Sequence, residues 1–199
     1  MYQLLCGKNT DVRCGGQTKE QIFCKLNEYL QKCYQSQISF EVFCWVWFYF
    51  KGDCTKIVIV FTHMIHNTSG FKVLTGWEKP GLGVWFSRGV LQIQGKENYE
   101  IAGQEFLNNP NLLASLSYTA IIASLNVYVT RVPHYALVTL CDSWYYLYPE
   151  EIQGQNWTYD YYQPRITDRL NVYKQMCYIF GVRESYGTNC YFLRRYLRC

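Results

Sequence analysis

The residues best suited to chemistry in this chain lie near its middle, at His63, His66 and Asn67. Their i, i+3, i+4 spacing places all three on one face if the segment is helical. Two imidazoles one turn apart can bind a metal, but a zinc site needs further protein ligands, and the sequence places none nearby. We therefore expect structural roles for both histidines, with no metal site and no cofactor.

Ten cysteines form the second reactive set, and no two of them make a CxxC pair. An even number of cysteines at irregular spacing is typical of a disulfide framework in an oxidising compartment, although the pairing stays open. One of the cysteines could instead form a nucleophilic pair with a histidine, but disulfide bonding is the simpler explanation of the ten. The cysteines are Cys6, Cys14, Cys24, Cys33, Cys44, Cys54, Cys141, Cys177, Cys190 and Cys199.

The disulfide framework predicts an extracellular or secretory-lumen protein, and the glycosylation sequons at Asn67 and Asn156 are compatible with that location. Residues 1–14 carry Asn9, Asp11 and Arg13 without an apolar core, so we expect no signal peptide there. The longest apolar stretch, residues 42–50, is too short to span a bilayer, so we also expect no transmembrane segment.

The composition indicates one globular domain, because hydrophobic residues make up 49% of the 199 and charged residues 17%. Aromatic residues are abundant, with 19 Tyr and 6 Trp, which suits a sugar-binding cleft or a protein interface. The net charge is +4, and basic residues gather near the end of the chain at Arg183, Arg194, Arg195 and Arg198. No recognition motif accompanies them, so we expect no nucleic-acid partner.

Secondary-structure elements must position the histidines, Asn67 and the cysteines. The pattern predicts helices over residues 19–32, 98–106, 112–129 and 169–180, the last ended by Gly181. Residues 38–50 and 57–65 are strongly apolar, and periodicity alone leaves them as strands or buried helices. Gly-rich residues 67–89 predict a loop, and Pro133, Pro149 and Pro164 predict an irregular Tyr-rich region. The chain reads as mainly helical.

Four blocks follow one another at residues 57–71, 80–99, 107–112 and 168–190, and together they resemble the plant-type chitinases of glycoside hydrolase family 19. Residues 57–71 (IVIVFTHMIHNTSGF) are similar to the family's buried helix with its His-Glu motif. Residues 80–99, 107–112 and 168–190 are similar to its Pro-Gly to Asn-Tyr segment, its Asn-Asn-Pro-Asp-Leu segment and its closing helix. The resemblance implies a mainly α, lysozyme-like two-lobed helical domain with long loops and disulfides over residues 36–199. Residues 1–35 match nothing in the family and are predicted to be a Cys-rich N-terminal extension.

The resemblance also implies a defect in the chemistry. Inverting hydrolysis needs a carboxylic acid to protonate the leaving oxygen and a carboxylate to activate water. The family's acid directly follows the motif's His, and here that position is Asn67, whose amide has no proton to transfer. Losing a proton donor costs about 10²–10⁴-fold in rate. The loop that carries the general base in the family is short here, at residues 72–79. Its one acidic residue, Glu78, is the weak surrogate for that base.

At other positions of the family's cleft, this sequence has the same residue types as the family. The resemblance implies substrate-binding roles for His66, Gln92, Asn98, Tyr99 and Arg169, and Arg88 with Gly89 matches the family's Gly-Arg-Gly turn. Arg169 matches an arginine near the catalytic acid, so without that acid it needs solvent or another partner. The acids considered for it are Asp168, Glu150 and Glu151. The family's Ile-Asn-Gly-Gly segment is altered at residues 152–155, and the cysteine that follows it is missing, so Cys190 needs another partner.

The leading interpretation is a catalytically inactive chitinase-like protein with a glycan-binding or structural role. Its expected partners are chitin or another N-acetylglucosamine polymer, or other protein chains in an assembly. One alternative is an active chitinase or chitosanase with relocated carboxylates. The other is a structural component of a large extracellular or viral assembly without sugar binding, since the run of tyrosines from Tyr145 to Tyr162 would equally pack against a partner.

Overall fold

The computed structural model describes residues 12–76, 81–148 and 159–188, and its regular elements are helices. They are α1 (Lys19–Tyr34), α2 (Phe40–Tyr49), α3 (Cys54–Asn67), α4 (Lys96–Ala102), α5 (Gln104–Asn108), α6 (Tyr118–Arg131), α7 (Leu140–Leu147) and α8 (Tyr159–Phe180). Short 3-10 helices cover Pro110–Leu113 and His134–Val138. The predicted mainly helical fold is confirmed.

Helix α3 runs through the middle of the core and carries the reactive residues at its end. Asp53 caps its first turn by accepting a hydrogen bond from the Lys56 amide. Every residue of 57–65 is buried, and the helix packs against α8, α7 and the 3-10 helix at 134–138. A helix covered on all sides needs apolar residues all round, which explains why its sequence shows no polar stripe.

Residues 38–50, the other segment that periodicity left as strand or helix, contain helix α2. Ser39 caps it through the Val42 amide, and Phe43 is fully buried. The Phe43 ring lies 5.8 Å from the Phe61 ring of α3 and 6.4 Å from the Phe180 ring of α8, measured between centroids. These aromatic contacts join α2 to the two helices that carry the site.

Helix α1, in the predicted extension, shares this core. A capping box at Thr18 and Gln21 starts the helix, and Ile22, Leu26 and Leu30 are fully buried. Helix α1 packs on α8, and just before it Gly15 lies so close to Gly181 that a Cβ would sit 2.6 Å from the Gly181 Cα. The division of the chain at residue 36 stays a prediction.

Three sequence-based boundaries are corrected by the structure. The helix predicted over 98–106 is two helices, because Gly103 has a φ of 135° between them. The helix predicted over 112–129 begins only at Tyr118, after the Ser117 cap. The last helix begins at Tyr159 and not at residue 169, and Pro164 lies inside it.

The cysteines divide into bonded and free residues. A disulfide joins Cys14 to Cys54, and Cys44 and Cys141 are also disulfide-bonded, which confirms the disulfide prediction for these four. Free thiols remain at Cys24 and Cys33, which are exposed, and at Cys177, where burial raises the thiol pKa to about 11. Cys6, Cys190 and Cys199 lie outside the described residues, as do Arg194, Arg195, Arg198 and Asn156.

No helix in the described ranges combines the length and apolar character needed to cross a bilayer.

Candidate functional site

A cleft of about 940 Å³ opens at the end of α3. One side is formed by the ends of α3 and α7 and by the first half of α8, with His66, Tyr148 and Asp168 at its surface. The other side is formed by the loop after α3, by residues 82–95 and by α4. A volume of this size is in the range of ligand-binding clefts in proteins.

Asn67 lies in the wall of this cleft with both polar atoms of its amide engaged. Its Oδ1 accepts a hydrogen bond from Arg169 Nη2 at 2.9 Å, and its Nδ2 donates to the Tyr148 hydroxyl. Tyr148 in turn donates to the Leu91 carbonyl at 2.6 Å. Because an arginine can only donate, the amide oxygen must face Arg169, which fixes the orientation of the side chain.

Arg169 itself is fully buried behind Asn67. Its guanidinium lies 4.2 Å from the centroid of the Trp144 ring and 5.1 Å from that of Tyr148. Its Nη1 is 3.1 Å from His63 Nδ1. The charge is thus held by an amide oxygen, an imidazole nitrogen and two aromatic faces, contacts that stabilise a buried cation.

The bond directions around His63 determine its tautomer. Ser143 donates its hydroxyl proton to the Leu140 carbonyl at 2.9 Å, so it accepts from His63 Nε2 at 2.8 Å. The proton therefore sits on Nε2, which leaves Nδ1 free to accept from Arg169. Burial, with the nearby Arg169 and His66, lowers the pKa of His63 well below its usual value. His63 is a neutral, structural histidine.

The stability of the protein should therefore depend on pH. An unfolded His63 binds a proton near pH 6.5 while the buried one does not, so the unfolded state gains protons first as the pH falls. We expect the free energy of unfolding to decrease below about pH 6.5, by up to about 1.4 kcal/mol per pH unit from this residue. Urea unfolding from about pH 7 to about pH 5 measures the slope.

His63→Gln should flatten that slope, and His134→Gln, which changes an exposed histidine, should leave it as in the wild type. An unchanged slope in His63→Gln would show that other groups govern the pH dependence.

His66 and Asp168 form a pair at the surface of the cleft, with 2.7 Å between Nδ1 and Oδ2. Asp168 is one of the three acids that the sequence offers as a partner for Arg169, and the structure places it against His66. Neighbouring residues of a helix point about 100° apart, so Asp168 turns to the cleft while Arg169 turns to the core. Glu150 and Glu151 lie outside the described residues, as does Glu78, the surrogate base.

Gln92 and Asn98 line the opposite side of the cleft. Gln92 Nε2 donates to the carbonyls of Val73 and Gly89, at 3.2 and 3.0 Å. Asn98 Nδ2 donates to the Gln94 carbonyl, and its Oδ1 accepts from Arg131 Nε at 2.6 Å. Both amides are held by the protein in fixed orientations at the cleft surface, as residues that position a ligand need to be.

Tyr99 is buried and is not among the cleft residues. Its hydroxyl donates to the Phe86 carbonyl at 2.8 Å and accepts from Arg88 Nη1 at 3.1 Å. Arg88 also donates to the Val84 carbonyl and to Asn111, and its backbone pairs with that of Ile93. Tyr99 and Arg88 therefore hold the loop that forms one side of the cleft.

Some residues of the site had no signal in the sequence. Tyr148 is one of a run of tyrosines, and Ser143 and Trp144 belong to no motif. Glu97 also lines the cleft, where Arg131 Nη2 lies 2.8 Å from its Oε2. That hydrogen bond and the arginine's charge lower the pKa of Glu97. Among the side chains that the structure describes, no group of three or more potential metal ligands comes together.

A scan of protein-family profiles finds no match to this chain, and a search of curated protein sequences finds none either.

Solved structures, in contrast, match over nearly the whole chain. A class IV chitinase of family GH19 from Zea mays superposes with a TM-score of 0.55 at 20% identity, covering 94% of this chain and 93% of that one. A bacterial family 19 chitinase gives 0.60 at 18% identity, covering 81% and 97%. Chitinase C from Streptomyces griseus HUT6037 gives 0.56 at 16% identity, covering 92% and 94%. The chain has the lysozyme-like fold of the family 19 chitinases.

Proposed function

We propose that this protein is an inactive member of the family 19 chitinases that binds chitin, or another N-acetylglucosamine polymer, in the cleft without cleaving it. The observation that carries the proposal is the carboxamide of Asn67, which stands where the family has its proton donor. An amide cannot protonate a leaving oxygen, and this one is bonded at both ends, to Arg169 and to Tyr148.

The charges in the cleft favour a neutral ligand. The two acids described at its surface each contact a basic side chain, Asp168 at His66 and Glu97 at Arg131. A site for phosphate or nucleic acid would present unpaired cations, whereas a neutral polysaccharide needs oriented amides and hydroxyls. Gln92 and Asn98 supply such amides, fixed by their own hydrogen bonds.

The location of the protein is part of this proposal. The Cys14–Cys54 disulfide supports an extracellular or secretory-lumen protein, where a chitin-type polymer would be met. We expect no glycan on Asn67 despite its sequon, because attachment to Nδ2 would break the contact with Tyr148 and fill the cleft.

Titration calorimetry with chito-oligosaccharides tests the binding. We expect saturable binding that weakens about tenfold or more in Gln92→Ala, because its fixed amide faces the ligand. Gln104→Ala changes an exposed glutamine outside the cleft and should bind like the wild type. No heat with any oligomer, or equal affinity for the Gln92 and Gln104 variants, would contradict the proposal.

One observation favours the enzymatic alternative, since Asp168 and Glu97 line the same cleft. Inverting hydrolysis uses two carboxyl groups roughly 6.5–9.5 Å apart, one of them protonated. The lowered pKa of Glu97 makes it a poor acid but leaves it suited to activating water. Under this alternative, wild-type turnover would be lost in both Asp168→Asn and Glu97→Gln.

The assembly alternative draws on the exposed free thiols of Cys24 and Cys33 on α1. Exposed thiols in a chain that otherwise forms disulfides can cross-link to other chains under oxidising conditions. If no oligosaccharide binds and Cys24→Ser removes a disulfide-linked oligomer from non-reducing gels, this alternative replaces our proposal.

A further inference from the structure

We propose that Tyr135 forms an additional sugar-stacking position beyond the end of the cleft, and this inference rests on the proposed binding of a polysaccharide. Tyr135 lies in the 3-10 helix His134–Val138, and 62% of it is exposed. An exposed aromatic ring of this size is a ready platform for the apolar face of a pyranose ring.

Contacts with its neighbours hold the Tyr135 ring in place although it is exposed. Its hydroxyl is hydrogen-bonded to the Tyr146 hydroxyl. The two rings meet edge to face, at 84° with centroids 6.2 Å apart. Tyr146 is held in turn by Tyr145, whose ring centroid is 5.2 Å away. A ring fixed in advance loses little conformational entropy when a ligand stacks on it.

Tyr146 also connects this platform to the cleft, because it lines the cleft wall together with Leu147 and Arg131. A polymer that leaves the cleft past Tyr146 therefore meets Tyr135 next. We expect a short oligosaccharide bound within the cleft to end before Tyr135, so Tyr135 should contribute only to the binding of longer chains. The ligand is one further pyranose unit of the same N-acetylglucosamine polymer.

Calorimetric titration of chitobiose through chitohexaose into the full chain tests the proposal. For the wild type we expect the affinity to rise with chain length. Tyr135→Ala should weaken binding of the longest oligomers roughly fivefold to tenfold, because stacking on an aromatic face is lost, and leave chitobiose unaffected. Tyr135→Phe keeps the ring and loses only the hydroxyl, so it should retain more than half of the wild-type affinity.

Tyr178→Ala is the matched control, since Tyr178 is 80% exposed on α8 and does not line the cleft. Equal affinities of Tyr135→Ala and Tyr178→Ala for chitohexaose would overturn the role of Tyr135 while the proposed function stands. A loss that is equal for chitobiose and chitohexaose would overturn its position beyond the cleft. Absence of wild-type binding at every length would overturn this inference together with the proposed function.

Discussion

Replacing Arg169 by methionine is expected to destabilise the protein by about 3–5 kcal/mol, a large part of the stability of a domain of this size. The change removes donors from Asn67 and His63 at once and leaves their acceptor atoms without partners in a buried site. It also removes the cation that lies over the Trp144 ring. Urea unfolding at about pH 7 measures the loss.

Lys174→Met is the matched control, because Lys174 lies on the same helix and is exposed. It should change the free energy of unfolding by no more than about 0.5 kcal/mol. If Arg169→Met is no more destabilising than Lys174→Met, the contacts of Arg169 with Asn67, His63 and Trp144 contribute nothing to stability.

Asn67→Leu should have the second-largest effect, a loss of about 2–3 kcal/mol. Leucine keeps the branched shape and the number of heavy atoms of asparagine, but it neither accepts from Arg169 nor donates to Tyr148. The free energy of unfolding, measured by urea titration, should fall because the buried Arg169 and the half-buried Tyr148 each lose one hydrogen bond.

Asn67→Asp distinguishes the contribution of the hydrogen bond to Arg169 from that of the hydrogen bond to Tyr148. A carboxylate still accepts from Arg169 and loses only the donation to Tyr148, so we expect a loss of about 1 kcal/mol or less. Equal stability of the leucine and aspartate variants would mean that Arg169 does not depend on Asn67 as an acceptor.

The fold was largely predictable from the sequence, and the difficult parts have physical causes. Residues 38–50 and 57–65 remained ambiguous because the second segment is buried throughout and the first has aromatic residues on its half-buried side, so neither shows the polar face that reveals a period. The cap residues Ser39 and Asp53, each of which bonds the amide three positions on, are the signal that would have decided for helices. Pro164 concealed the start of α8 because a proline inside a helix removes a hydrogen bond, so its presence predicts a break and not a continuous helix.

The candidate site was predictable only in part. The resemblance to family 19 brought Asn67 and Arg169 together, and the structure places them 2.9 Å apart. It gave no role to Tyr148 or Ser143, because their contacts with α3 span about eighty residues of chain and leave no local pattern. Tyr99 matched the family's cleft yet is buried, where it holds the loop through Arg88.

Asn67 uses both polar atoms of its amide in hydrogen bonds. An ionised carboxylate at the same position has no proton to donate to Tyr148, whereas the amide donates there and accepts from Arg169 at the same time. The side chain thereby links α3 to α8 and, through Tyr148, to the Leu91 carbonyl on the other side of the cleft. Asn67 therefore connects three segments of the chain that form the cleft.

Product analysis of a bound chito-oligosaccharide tests this account most directly. Chitohexaose is incubated with the protein at a concentration where calorimetry shows it bound, and the mixture is followed over time by mass spectrometry. Our account predicts that the hexamer stays intact while it occupies the cleft. Steady release of shorter oligomers that stops in Asp168→Asn would contradict it, because a carboxyl group of the cleft would then be taking part in hydrolysis.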